Sequence, residues 1–172
     1  AGVDLDPVVE RNTFLDDAKV LQSPTERIPY EANRFEVVIA NNVLEHVDNP
    51  SFTFREVFRV LKPGGFFLAK TPNKWHYVAV LGRFTPHGFH ELVNKLRGRE
   101  TEDTFPTRYK CNSKRDIFAL ASEVGFDVAD FELVEGRPEY LRMFSVTYLV
   151  GWLYERLVNG LDVSSLRCVI LS

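Results

Sequence analysis

The sequence predicts a Rossmann-like α/β domain, a three-layer sandwich built on a mostly parallel sheet. Two observations predict it. Apolar runs typical of buried strands occur at 35–40 and 66–69. Helical patterns with one apolar face follow Asp48 and Asn112. Strands that alternate with helices favour parallel pairing with helices on both faces of the sheet.

The amino-terminal half supplies most of these elements. Residues 2–7 are typical of the end of a strand that closes on an acid, and a short strand is expected at 19–22. The strand at 35–40 runs into two asparagines. After Asp48, apolar residues spaced three, four and seven apart predict a helix, which the run Pro63-Gly64-Gly65 is expected to end.

The carboxyl-terminal half continues the alternation. Asn112-Ser113 and Gly125 are expected to cap the two ends of a helix. An edge strand is predicted at 126–134, a long helix at 138–158 and a final strand at 167–171. Residues 74–112 are rich in aromatic side chains and histidines, and they are predicted to form a substrate lid inserted into one domain that spans 1–172.

Composition excludes several classes of protein. The 172 residues carry a net charge of −3, with no long run of one sign, so nucleic acid is not an expected partner. The longest uncharged run, 143–154, is too short for a transmembrane segment, which needs about 20 residues. The two cysteines and four histidines match no metal spacing. A cytoplasmic protein with reduced thiols and no metal is expected.

Polar residues follow the predicted strands where each of them ends. These residues are Asp4, Thr25, Asn41, Asn42 and the run 71–73. Ligands of parallel sheets bind beyond the carboxyl ends of the strands, so the fold would gather these residues along one edge. An acid in this place either binds the hydroxyls of a ribose or lies in a solvated turn.

Five short motifs together resemble the class I S-adenosylmethionine-dependent methyltransferases, and in particular the type 11 group. The resemblance covers roughly residues 2–73. The pair formed by NVLEHV at 42–47 and RVLKPGG at 59–65 is its most specific part. The other three motifs are GVDLDP at 2–7, ERIPY at 26–30 and FEVV at 35–38.

The resemblance implies a cofactor, S-adenosyl-L-methionine, and residues that bind it. Asp4 would accept hydrogen bonds from both ribose hydroxyls, and Leu5 would pack on the adenine face. Thr25 would lie at the adenine edge, where the family commonly has an aspartate close to the position of Pro24. Asn41 and Asn42 would line the methionine end of the cofactor.

The chain departs from the family in one respect. No Gly-x-Gly-x-Gly loop occurs in it, and the family places that loop, with the first strand, before the position of Ala1. The strand would lie between the one that ends at Asp4 and the one that starts at Phe35. The chain is therefore interpreted as an N-terminally truncated fragment, and it is expected to bind the cofactor poorly.

The resemblance also implies the reaction, which is transfer of a methyl group to a small molecule. The candidate bases are His46, His76 and Tyr77, while Glu45 can instead orient the neighbouring backbone. Bacterial members with a similar lid suggest a sugar, a polysaccharide precursor or a lipid-linked molecule as the methyl acceptor. The apolar helix could reach such a lipid, pack on the sheet or form a homodimer contact.

Two other functions are open to such a chain. A non-catalytic methyltransferase-like subunit that binds a partner enzyme would agree with the missing glycine-rich loop. A nicotinamide-dependent dehydrogenase would share the acid at the end of a strand. The dehydrogenase hypothesis leaves the NVLEHV and LKPGG motifs unexplained, whereas the subunit hypothesis does not.

Overall fold

A computed structural model describes residues 1–76, 106–134, 145–161, 167 and 169–171. The α-helices in these ranges are α1 (Pro50–Val60), α2 (Lys114–Val124) and α3 (Ser145–Gly160). The strands are β1 (Gly2–Asp4), β2 (Ala18–Val20), β3 (Phe35–Asn41), β4 (Leu61–Pro72), β5 (Glu132–Val134) and β6 (Val169–Leu171). Short 3-10 helices lie at Pro7–Arg11 and Leu44–His46.

The strands form two sheets in the described part of the chain. β1 pairs in parallel with β2, and the second sheet has the order β3-β4-β6-β5. β3 and β4 are parallel, while β6 runs antiparallel to both β4 and β5. The predicted α/β class with parallel strands is therefore confirmed, although β6 joins the larger sheet in the antiparallel direction.

One face of the larger sheet carries the core. Ala40 of β3 and Ala69 of β4 are buried there with Phe54 of α1 and Cys111. The ring of Phe54 meets that of Phe67 edge-on, with ring centroids 5.5 Å apart. α1 and α2 cover this face, because their apolar sides pack against each other and against the sheet.

The other face of β3 and β4 is apolar and exposed. Val37 lies beside Phe66, and Ile39 lies beside Leu68, and these four side chains are 45–71% exposed. The outer edge of β3 pairs with no other described strand, and β1 does not pair with it. Exposed apolar sheet surface of this kind normally meets another element of structure.

Tyr30 connects the two sheets at the amino ends of their strands. Its hydroxyl donates to the carbonyls of Gly2 and Asp17 over 3.4 Å, and its ring meets Phe35 at 5.1 Å. Burial and the nearby Asp17 carboxylate raise the pKa of Tyr30. The phenol therefore stays neutral and can donate these hydrogen bonds.

An ion pair on α1 fixes the loop that precedes β3. Arg59 Nη2 and Glu56 Oε2 are 2.6 Å apart, and both side chains are largely buried. Arg59 also donates to the carbonyls of Ile28 and Tyr30, and Glu56 accepts from the Ile28 amide. The pair explains why the ERIPY motif forms an ordered loop, since it satisfies backbone groups of Ile28 and Tyr30 within that motif.

Most predicted helix boundaries are observed, and one is wrong. The Asn49 side chain caps α1, the Ser113 side chain caps α2, and Gly125 ends α2 with φ +99°. α1 ends at Val60, however, before Pro63-Gly64-Gly65, which lies within β4. At Gly65 a Cβ would stand 2.9 Å from the Glu36 carbonyl oxygen, so this glycine permits the close pairing of β3 with β4.

One further element differs from the prediction, and another is observed in part. The edge strand predicted over 126–134 is limited to Glu132–Val134, at the end of the sheet. The long helix is observed as Ser145–Gly160, and the first residues predicted for it lie outside the described ranges. Among the described residues, no helix combines the length and the apolar character needed to cross a bilayer.

Candidate functional site

Asp4 lies at the carboxyl end of β1, where the resemblance places the ribose of the cofactor. Its Oδ1 accepts a hydrogen bond of 3.0 Å from the Asp6 amide, and the side chain is exposed. Asp6 in turn caps the 3-10 helix through the Val8 amide. The turn thus holds the Asp4 carboxylate in one orientation and leaves it open to a ligand. Leu5 beside it is half-buried.

The end of β3 presents the two asparagines. Both side chains are exposed, and Asn42 has a left-handed backbone with φ +56°. The Asn42 amide donates to the Lys70 carbonyl of β4, which fixes the turn in this conformation. Asparagine tolerates that conformation better than most residues.

Thr25 occupies an exposed loop after β2. Its amide and hydroxyl both meet the Ser23 hydroxyl, at 3.3 and 3.2 Å. The described contacts do not join it to Asp4 or to the asparagines. Asp4 offers a carboxylate at the end of β1, and Asn41 and Asn42 offer two amides at the end of β3, but β1 and β3 belong to different sheets and no described contact joins the two groups. Carboxylates and amides are groups that can bind hydroxyls and the polar end of an amino acid.

A buried polar network begins at Glu45, three residues after the second asparagine. The Thr71 hydroxyl donates to Glu45 Oε2 over 3.0 Å, and Asn112 Nδ2 donates to the same hydroxyl over 2.6 Å. All three side chains are buried. The network connects the ends of β3 and β4 with the start of α2, so it fixes the 3-10 helix at Leu44–His46 in position.

Residues 106–112 lie across that 3-10 helix and are here called the strap. The amides of Arg108 and Tyr109 both donate to the Glu45 carbonyl, at 2.6 and 3.2 Å. The Cys111 thiol donates to the Leu44 carbonyl at 3.3 Å. The strap is the carboxyl-terminal end of the segment predicted to form the lid, and its backbone binds the buried residue Glu45.

The three predicted catalytic residues have different surroundings. His46 is half-buried, and its Nδ1 lies 3.3 Å from the Pro106 carbonyl of the strap. His76 is buried, with its ring 6.3 Å from that of Tyr154 on α3. Tyr77 lies outside the described residues. His46 is the more accessible of the two histidines, so it is the better placed to meet an acceptor.

Cys111 behaves as a structural residue. It is fully buried, and burial raises the pKa of its thiol to about 12. A thiol that stays protonated at neutral pH is a poor nucleophile and a poor metal ligand. Cys168 lies outside the described residues. No group of three or more potential metal ligands occurs in the part of the chain that the structure describes.

Sequence reasoning missed the network of Glu45, Thr71 and Asn112. Glu45 was interpreted as an acid that orients backbone, and Asn112 as a helix cap. The sequence does place these residues next to predicted strand ends and a predicted helix start, and this position was the available signal for the network.

A separate cleft between α2, β5 and α3 includes Lys114 and Glu132, and it contains none of the predicted site residues.

Comparison with known proteins gives matches in the amino-terminal part of the chain. Residues 1–69 match the model of a methyltransferase domain family. A demethylmenaquinone methyltransferase of Leptospira interrogans is 42% identical over 59 residues, which are 32% of this chain and 24% of that protein. A ubiquinone biosynthesis O-methyltransferase of Pseudomonas fluorescens is 35% identical over 75 residues, or 39% and 32% of the two chains. This chain thus spans about a quarter to a third of these curated relatives.

Solved structures share the fold at lower identity. Geranyl diphosphate methyltransferase, solved with S-adenosylmethionine, is 19% identical with a TM-score of 0.53, and the match covers 99% of this chain and 66% of that one. The [4+2]-cyclase SpnF is 17% identical with a TM-score of 0.50, over 95% and 57% of the two chains. The Rossmann-like fold is common to all three chains, but it does not by itself determine the reaction.

Proposed function

We propose that this chain, whose residues 1–69 match the model of a methyltransferase domain, is part of a class I S-adenosylmethionine-dependent enzyme that methylates a small molecule. The observation that carries the proposal is the exposed Asp4 carboxylate. The Asp6 amide orients it at the carboxyl end of β1. A carboxylate held in this way can accept two hydroxyl groups from one ribose.

The chain's own residues would bind and align the reactants. S-adenosylmethionine, when bound, supplies an activated methyl group, so alignment of the acceptor provides much of the rate. Asp4 would hold the ribose, while Asn41 and Asn42 would contact the methionine end. The Glu45 network would keep the turn rigid.

His46 is the base that we assign to the reaction. With a proton on Nδ1, the ring donates to the Pro106 carbonyl and carries its basic lone pair on Nε2. A hydroxyl acceptor would lose its proton to Nε2 while it attacks the methyl group. The hydrogen bond to the Pro106 carbonyl of the strap would thus favour the tautomer with the proton on Nδ1.

We infer a hydroxyl-bearing acceptor that is partly apolar. A sugar, a polysaccharide precursor and a lipid-linked molecule were the classes suggested by the sequence. The names of the two relatives add quinols to these. A panel of quinols, phenols and glycolipids, assayed by release of S-adenosylhomocysteine, tests these classes directly.

Replacement of Asp4 with asparagine is expected to weaken binding of S-adenosylhomocysteine at least tenfold, or about 1.4 kcal/mol. The reason is that an amide oxygen replaces a charged acceptor of two hydroxyl groups. Titration calorimetry on the full protein measures the effect. Asp16→Asn is the matched control, since Asp16 is also exposed and lies in the turn before β2. Equal affinity of Asp4→Asn and wild type would refute the ribose assignment.

The cofactor pocket, we further propose, is completed by a strand and a glycine-rich loop outside this sequence. The support is the outer edge of β3, which pairs with no other described strand, together with the exposed apolar face formed by Val37, Ile39, Phe66 and Leu68. A strand inserted beside β3 would pair with that edge, and its helix would cover the face.

The 172 residues alone are therefore expected to bind S-adenosylhomocysteine at least 100-fold more weakly than the chain extended by its natural upstream residues. Calorimetry on the two proteins makes the comparison. Equal binding would show that the segment is dispensable. If neither protein binds the cofactor product, the non-catalytic subunit becomes the better description, and the methyltransferase proposal fails.

A further inference from the structure

α3 presents an apolar stripe to the solvent. The stripe consists of five aliphatic residues spaced four, three, four and four apart, which are Val146, Val150, Leu153, Leu157 and Leu161. A sixth, Leu149, lies at the side of these five. This spacing places them on one side of a helix, over a length of about 22 Å. All six side chains are between 53% and 72% exposed.

The side of α3 about a quarter-turn from the stripe meets the rest of the protein. Gly151 and Val158 are buried there, and the ring of Tyr154 meets the ring of His76 edge-on. The stripe residues themselves are exposed, and proteins rarely leave an apolar surface of this size uncovered.

The charges of α3 favour a protein partner over an anionic bilayer. Glu155 and Arg156 are the only charged residues of the helix, and they cancel. Both lie off the stripe, and the Arg156 guanidinium is 5.4 Å from the centre of the Trp152 ring. Helices that lie on membrane surfaces are usually rich in lysine and arginine on their polar face, and α3 is not.

We propose that the stripe is the interface of a homodimer in which α3 packs antiparallel to α3 of a second copy. The stripe is self-complementary about Leu153. A two-fold axis there places Val146 opposite Leu161 of the second copy, and Val150 opposite Leu157. Each shorter side chain then meets a longer one.

The exposed area agrees with a dimer of moderate affinity. Six aliphatic side chains that are more than half exposed amount to on the order of 1,200 Å² for two copies, the lower end of the range for stable interfaces. The dimer would also hold α3 in its place against His76. Association therefore stabilises a helix that borders the candidate site.

Sedimentation of the full protein at about 100 μM tests the association, since a micromolar dimer is well populated there. Wild type is expected to sediment as a dimer, and Leu153→Asp as a monomer that retains the wild-type circular dichroism. Val8→Asp is the matched control, because Val8 is equally exposed but lies on the 3-10 helix after β1, and it should remain dimeric. A wild-type monomer at this concentration would overturn the proposal.

Cysteine cross-linking tests the register, in a background in which Cys168 is replaced by serine. Leu153→Cys should oxidise to a covalent dimer, because it lies on the two-fold axis. Val146→Cys should cross-link when mixed with Leu161→Cys but not alone. Cross-linking of Val146→Cys alone would indicate parallel helices and contradict the arrangement. Wild type that stays monomeric yet floats with phosphatidylcholine vesicles would make the stripe a membrane surface and likewise overturn it.

Discussion

Replacement of Arg59 with leucine is expected to lower the free energy of unfolding by about 3 kcal/mol, the cost typical of breaking a buried ion pair. The substitution leaves the Glu56 carboxylate buried without its cation. It also removes the donors to the carbonyls of Ile28 and Tyr30, which shape the loop ahead of β3. Urea denaturation followed by circular dichroism measures the change.

Lys62→Leu provides the matched control. Lys62 pairs with Glu36 at 2.9 Å, but both side chains are exposed, so the variant should unfold at the same urea concentration as wild type. The double variant Glu56→Leu with Arg59→Leu should recover part of the loss, since it removes both charges. An Arg59→Leu protein as stable as wild type would contradict the role of the pair.

The stability that the Glu56–Arg59 pair contributes depends on pH in a defined direction. The hydrogen bond from Arg59 is the main cause that lowers the pKa of Glu56 below its ordinary value of 4.5. A lowered pKa in the folded state contributes stability at pH values above 4.5, and that stability is lost as the pH falls through the folded value. The difference between wild type and Arg59→Leu should therefore be constant near neutral pH and shrink in acid.

Local signals predicted the elements that depend on neighbours in sequence. Helix α2 has a serine at its start and a glycine in the left-handed conformation at its end, and both were readable. The run Pro63-Gly64-Gly65 was wrongly expected to end α1, because these residues lie within β4. Gly65 allows the backbone of β4 to approach β3, a tertiary requirement that local preference does not contain.

The candidate site also contains some residues that local sequence signals predict and others that only the assembled fold brings together. Asp4, Asn41 and Asn42 follow predicted strands directly, so the rule for parallel sheets found them. The contacts of Glu45 with Thr71 and of Thr71 with Asn112 join residues 26 and 41 positions apart. Such contacts exist only once the sheet and α2 have assembled. The contact of His76 with Tyr154 joins residues that are likewise far apart in the sequence.

Replacement of His46 with alanine is expected to reduce kcat at least 100-fold, within the range for loss of a general base. Binding of S-adenosylhomocysteine should stay unchanged, because the imidazole acts on the acceptor. Turnover is measured with the first acceptor of the panel that supports release of S-adenosylhomocysteine by wild type.

A structural role for His46 would give a different set of results. If the ring only anchors the strap at the Pro106 carbonyl, His46→Asn should retain activity, since an amide can donate the same hydrogen bond. A base predicts instead that His46→Asn is as impaired as His46→Ala, and that added imidazole partly restores the alanine variant. If His46→Ala keeps its activity while His76→Ala or Tyr77→Phe loses it, the base lies on the lid side of the site and not on the turn after β3.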